Sequence, residues 1–283
     1  MDSLRELLAS NAAMSLAIGG LVIGFVFGFV VYRTNFCTMG SLSDILNFED
    51  YKRFRSWLLA IALATIGAQL LYLSGATDLS KAMHQSPTLN WLGNIIGGAI
   101  FGFGMVFAGG CTSRNLVRAG GGDIRSLIVL IVVGIFAYMT IGGIFGLARS
   151  ELETLTQINL ADSGINSQGM GDILSSLTGV NPDVSLWLVA ALFAGGLLIY
   201  CLMDKGFRSS PSHIIAGVVV GLCITAGWAL TGLSYDEFAD RAQNPMSLSY
   251  VRPSGDFLEY LMRFTADVIP TFGVASVIGA LAG

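Results

Sequence analysis

The chain has 283 residues, 53% of them hydrophobic and 12% charged, with a mean hydropathy of +0.69. A soluble domain carries about twice that share of charge, so a water-facing globular fold is excluded. The formal net charge of −4, the absence of a basic run and a complement of 2 histidines argue against a nucleic-acid surface or a histidine-built metal cluster. What remains is an all-α polytopic membrane protein whose first partner is the lipid bilayer.

A membrane helix needs roughly 20 mostly apolar residues. Seven predicted spans satisfy or approach this, at residues 14–32, 57–73, 91–110, 127–147, 184–203, 214–232 and 264–283. The first is too long for a signal-peptide core, and Arg5 is balanced by Asp2 and Glu6, so it reads as a retained span. Gly24 and Gly28 in the first span, and Gly98, Gly102 and Gly104 in the third, read as helix-packing positions.

Two connections do not look like simple loops. Residues 36–48 and 245–264 are semi-apolar, shorter than a span, and each sits between two spans. Segments of this kind are more often re-entrant or interfacial than spanning. With their neighbours they form a weak internal repeat, span, re-entrant element, span, at 16–73 and again at 214–283, which suits the inverted-repeat plan of transporters. The division expected is a first transmembrane repeat at 1–150, an extracytoplasmic connection at 151–183 and a second repeat at 184–283. The apolar ending FGVASVIGALAG, with no polar flank, makes the second repeat read as truncated.

Loop charges orient the chain. The side holding the N-terminus receives Arg5, Lys81, Arg149, Arg241, Arg252 and Arg263, and the opposite side receives all the other basic residues in shorter loops. The positive-inside rule then places the N-terminus outside the cell.

The four cysteines, Cys37, Cys111, Cys201 and Cys223, form no C-x-x-C pair, so neither a zinc site nor a redox motif is expected, and no cofactor is implied. Cys201 and Cys223 lie mid-span and read as small buried hydrophobes. Cys37 and Cys111 differ. Each is followed by threonine, Thr38 and Thr112, at a break between a glycine-bearing span and a polar segment. Ser41 and Ser43, and Ser113 and Asn115, are residues suited to helix starts. A helix beginning inside a membrane aims free N–H groups and its positive dipole end into the protein, where an anion can be received. A neutral thiol is a weak donor that does not repel an anion. Cys37, Cys111, Thr38, Thr112, Gly110 and Arg114 are therefore the candidate substrate-binding residues. Asp267, near the start of the last predicted span, reads as an interfacial cap, and His84 and His213 lie in short connections without ligand partners.

The stretches YRTNFCTMGSLSD at 32–44 and FGFGMVFAGGCTSRNLVRAGGGD at 101–123, with GLCITAGWALTG and NPMSLSYVRP later, resemble the YeeE/YedE family of sulfur-transport membrane proteins. The resemblance covers nearly the whole chain, and GGCTS is its most specific element. It implies uptake of thiosulfate or a similar sulfur anion across a bacterial inner membrane, through re-entrant loops whose separated cysteines pass the ion by S–H contacts. It implies a transporter rather than an enzyme. Cys37 and Cys111 match two of the family's functional cysteines, and nothing matches a third, which lies in a second G-C-T motif. Arg114 stands where many relatives have a small residue. A different reading is a membrane partner that delivers sulfur or selenium species to a cytoplasmic sulfurtransferase, with a sulfur-carrier protein as a further partner.

Overall fold

In the computed structural model, the described residues are 11–165, 167–235, 244–265 and 268–283, the side chains of His84 and Ser163 excepted. Arg5, Arg241 and Asp267 lie outside them, as does the side chain of His84. The helices are α1 (Ala12–Thr34), α2 (Thr38–Phe48), α3 (Lys52–Leu73), α4 (Trp91–Phe107), α5 (Thr112–Gly120), α6 (Ile124–Ile141), α7 (Ile144–Thr156), α8 (Met170–Thr178), α9 (Pro182–Met203), α10 (Lys205–Arg208), α11 (Pro211–Leu233), α12 (Val251–Met262) and α13 (Phe272–Ala282). A two-residue antiparallel ladder, β1 (Thr88–Leu89) with β2 (Ile158–Asn159), ties two connections together.

Among the described residues, six helical stretches are long and apolar enough to cross a bilayer. Five of the first six predicted spans lie wholly within them, and the fourth lies there in part. The seventh is shorter than expected: α13 has 11 residues, roughly 16 Å at ~1.5 Å per residue. It starts only after Pro270, which has no N–H to give a helix, and Thr271 caps it by accepting from Val274 N–H at 3.4 Å. The fourth predicted span also ends early. Gly142 and Gly143 both donate to Tyr138 O, which closes α6 and starts α7 in a new direction. A side chain on Gly143 would meet Met139 Cα at 2.7 Å, so glycine is required at that bend.

The innermost contact joins the first long helix to the last short one. Gly20, Gly24 and Gly28 recur every four residues and so share one face of α1. A Cβ at these positions would lie 2.8, 2.3 and 2.4 Å from the backbone oxygens of Phe272, Ser276 and Ala280. The two backbones touch because no side chain stands between them, as small residues allow in membranes. Around this pair, Phe27, Val31, Leu116, Val117, Val220, Cys223, Tyr250 and Val277 form one buried cluster that joins α1, α5, α11 and α13.

The packing expectation thus holds for Gly24 and Gly28 and not for the glycines of α4. Nothing among the described residues comes within 4 Å of a Cβ on Gly98, Gly102 or Gly104, and α4 has no buried residue. This helix lies at the edge, with Phe103 70% and Phe107 78% exposed.

A second, smaller cluster gathers Leu59, Cys201 and Phe207. Cys201 is fully buried and its thiol donates to Arg55 O at 3.3 Å. Arg55 pairs with Asp204 and lies over the Tyr200 ring at 4.9 Å, fastening the start of α3 to the end of α9.

Replacing Gly28 with alanine should destabilise the protein by about 1–3 kcal/mol, because the new methyl meets a backbone oxygen that cannot rotate away. Thermal unfolding in detergent measures this. An unchanged midpoint would mean that the α1–α13 contact is looser than described.

Candidate functional site

The site is made by two helix breaks. At the first, α1 ends at Thr34 and the chain reverses at Asn35, whose φ of 53° lies in the left-handed region. Asparagine is one of the few non-glycine residues that enter this region readily. Two residues on, Cys37 is extended and caps α2 directly: its Sγ accepts from Gly40 N–H at 3.4 Å. A Cβ on Gly40 would lie 2.4 Å from Arg53 Nη1, so the Arg53 guanidinium rests on the first turn of α2. Arg53 is in turn 3.3 Å from Asp44, about one turn beyond Gly40 on the same helix.

At the second break, α4 ends at Phe107 and the chain turns through Gly109 (φ 68°) and Gly110 (φ 150°). The first value favours glycine and the second is open to little else. Cys111 is the residue before α5, and its Sγ lies 3.1 Å from Ser113 Oγ. Asn115, 1% exposed, donates through Nδ2 to Gly110 O at 3.0 Å and to Cys111 O at 3.2 Å. Two carbonyls that a turn at membrane depth would leave bare are satisfied by this one amide.

The helix caps were expected among the hydroxyl residues that follow each cysteine. The cysteines themselves hold the cap positions, and Thr38 and Thr112 are the first helical residues. The two breaks meet. Cys37 and Cys111 are neighbours across the two breaks, each within electrostatic reach of the other, while their hydrogen bonds go to Gly40 N–H and to the Ser113 hydroxyl. Cys37 is buried and Cys111 half-buried, and both are free thiols. Arg114 crosses between the breaks, donating to Asn35 Oδ1 at 2.6 Å and to Val31 O at 3.4 Å. All six candidate residues are therefore gathered at the starts of two helices.

Each helix begins at one of the two cysteines, and each helix start carries the equivalent of about half a positive charge. Among the described residues Arg114 bonds only neutral oxygens, so its charge is not cancelled by a carboxylate. Arg118 is different: its guanidinium reaches Gly109 O at 3.5 Å and pairs with Asp123 at 2.7 Å. Ser126's hydroxyl, helped by Arg125 N–H and Arg118, holds the Asp123 carboxyl below the usual carboxylate range. Asp123 stays ionised near neutral pH and anchors the start of α6.

Three contributors were not singled out from the sequence as site residues: Asn35, Arg53 and the bridging role of Asn115. An asparagine directly after an apolar helix is a readable signal for a left-handed reversal. Arg53 gave no such signal, because its place over Gly40 depends on how α2 folds back against α3.

Substituting Asn115 with leucine removes two hydrogen bonds and keeps the volume. Unfolding should become easier by about 1–3 kcal/mol, the cost of orphaned buried acceptors. Cys111 should also be alkylated faster than in the unaltered protein; equal rates in the two would show that Asn115 does not hold the turn.

These features define a polytopic membrane protein with an electropositive helix-break site inside its bundle. The chain belongs to the sulphur transport family, whose model matches residues 33–283. Among relatives, the thiosulfate transporter TsuA of Spirochaeta thermophila is 35% identical over 229 residues, 74% of this chain and 67% of that protein. The thiosulfate transporter TsuA of Escherichia coli is 27% identical over 285 residues, 95% of this chain and 74% of that protein.

Proposed function

We propose that this protein takes up thiosulfate, or a related small sulfur-containing anion, across the bacterial inner membrane through a path that passes Cys37 and Cys111. The observation that carries this reading is the meeting of two helix starts at neighbouring cysteines, beside an arginine without a carboxylate. The names of the relatives support the choice of anion.

The chemistry suits a brief stop. A thiosulfate dianion entering hydrocarbon loses its water, and backbone N–H groups replace part of it. Neutral thiols donate weakly to its soft terminal sulfur, and no covalent bond forms. Binding must be strong enough for entry and weak enough for release. A lysine cage would hold the ion; two S–H groups and two helix ends let it go. Thr38, Thr112 and the Gly110 turn border the ion, and Arg114 biases the local field toward anions.

In this reading α2 and α5 are the re-entrant halves of a first repeat at 1–150. The segment 151–183 is extracytoplasmic, 184–283 belongs to a second, inverted repeat, and the N-terminus faces outward. The density of arginine near the breaks, Arg53, Arg114, Arg118 and Arg125, supports that orientation.

Cys37→Ala and Cys111→Ala should each lower growth on thiosulfate as sole sulfur source by at least ten-fold. Wild-type growth of both variants would rule out the thiol path. The second reading, delivery of sulfur to a cytoplasmic sulfurtransferase, requires a reactive thiolate. It draws on the half-buried position of Cys111. Alkylation of Cys111 followed against pH separates the two: slow reaction at neutral pH is expected for transport, and fast reaction supports sulfur delivery.

A further inference from the structure

The site described above uses the helix starts at Cys37 and Cys111; a third helix start, that of α12, is capped at Tyr250. Residues 244–250 run without helix or strand into the start of α12. They are pinned at depth by side chains: Thr231 Oγ1 accepts from Met246 N–H at 3.1 Å, and Ser247 Oγ donates to Ile224 O at 2.6 Å. Tyr250 closes the segment. It is 7% exposed, and its ring packs on Phe27 with centroids 5.1 Å apart.

The Tyr250 hydroxyl is buried and has no hydrogen-bond partner among the described residues. A hydroxyl held away from water without a partner is costly, so a position like this is maintained against a free-energy gradient. No side chain caps α12, so the N–H groups of Val251 and Arg252 are free at the helix start that Tyr250 caps, and Pro253 has none to offer. Cys223 of α11, 6% exposed, belongs to the same buried cluster as Tyr250. The surrounding wall is apolar, built from Phe27, Val31, Val220 and Val277. A donor hydroxyl, free helix N–H groups and a thiol in an apolar wall repeat, with other residues, the chemistry of the Cys37–Cys111 pair.

We propose that Tyr250, the start of α12 and Cys223 form a second anion station on the same path. Its ligand is a small sulfur oxyanion. The oxygens accept from the Tyr250 O–H and the α12 N–H groups, while a soft terminal sulfur faces the Cys223 thiol. Tyr250 packs on Phe27, eight residues before Asn35 on α1, which sets this station about 12 Å along the helix from the first. An ion handed between them stays next to donors over much of that length. The proposal rests on the transport reading given above.

The test uses the full chain, with radiolabelled thiosulfate as the probe, in two assays that keep the failures apart. Uptake into proteoliposomes reports transport. Equilibrium binding and ligand-induced thermal stabilisation in detergent report the station. Tyr250→Phe keeps the ring and deletes only the hydroxyl. It should weaken thiosulfate binding roughly ten-fold or more, as expected for a lost hydrogen bond to a charged group. Its unfolding temperature without thiosulfate should be unchanged or higher, because an unpartnered hydroxyl has been removed. Cys223→Ala should weaken binding several-fold. A purely structural tyrosine would behave in the opposite way, with lower stability and undiminished affinity, and that result overturns the proposal. If the unaltered protein binds thiosulfate and does not take it up, the transport reading fails and the station stands. If Tyr250→Phe binds and transports with wild-type affinity, the station fails and the transport reading stands.

Discussion

Hydrocarbon contains no water, so every backbone N–H and C=O at membrane depth must find its partner within the protein. A continuous helix meets that demand by itself, and a broken one does not. Each break in this chain is accompanied by a side chain that repairs it. Asn115 serves Gly110 O and Cys111 O, Arg114 serves Val31 O, Arg118 serves Gly109 O, and Thr231 serves Met246. The groups left over are N–H donors at helix starts, and those are the groups an anion can use. Repair of the carbonyls and exposure of the amides are two sides of one arrangement.

The same constraint explains why arginine is tolerated near the thiol pair. Arg114 has both its recorded partners in neutral oxygens, one a side-chain amide and one a main-chain carbonyl. It costs less to keep than a bare cation would, and it still contributes a positive field. Arg53 and Arg118, by contrast, are balanced by Asp44 and Asp123. The cationic character of the region is therefore graded, and the uncompensated charge lies between the two breaks.

Much of this could be read from the residues in order. The long apolar runs are unmistakable, because sixfold repetition of a span without charge has few other meanings. The two Cys-Thr breaks were visible as well, since glycine followed by small hydroxyl residues interrupts an apolar run for local reasons. What could not be read depended on distant contacts. The packing role of Gly24 and Gly28 is realised because α13 lies against them, whereas Gly98 and Gly102 have the same spacing and no neighbour. Spacing alone cannot separate the two cases. The bend at Gly142–Gly143 reads as part of a span, because isoleucine, phenylalanine and leucine continue on both sides of it. Tyr250 sits in a semi-polar stretch that looked interfacial. Its burial follows from Phe27 and Val31 on a helix more than two hundred positions earlier.

The backbone-to-backbone contact of α1 with α13 has a mechanical consequence. A seam made of side chains can absorb displacement by changing rotamers, but a seam of glycines against carbonyl oxygens has none to change. Sliding α13 by a single residue would bring branched or aromatic side chains of α1, such as Ile23 or Phe25, toward surfaces now matched to bare glycine. The two helices behave as one stiff spar. Any rearrangement that accompanies passage of an ion is thereby directed to elements outside that pair, and the nearest candidates by construction are the short broken helices leaning on it.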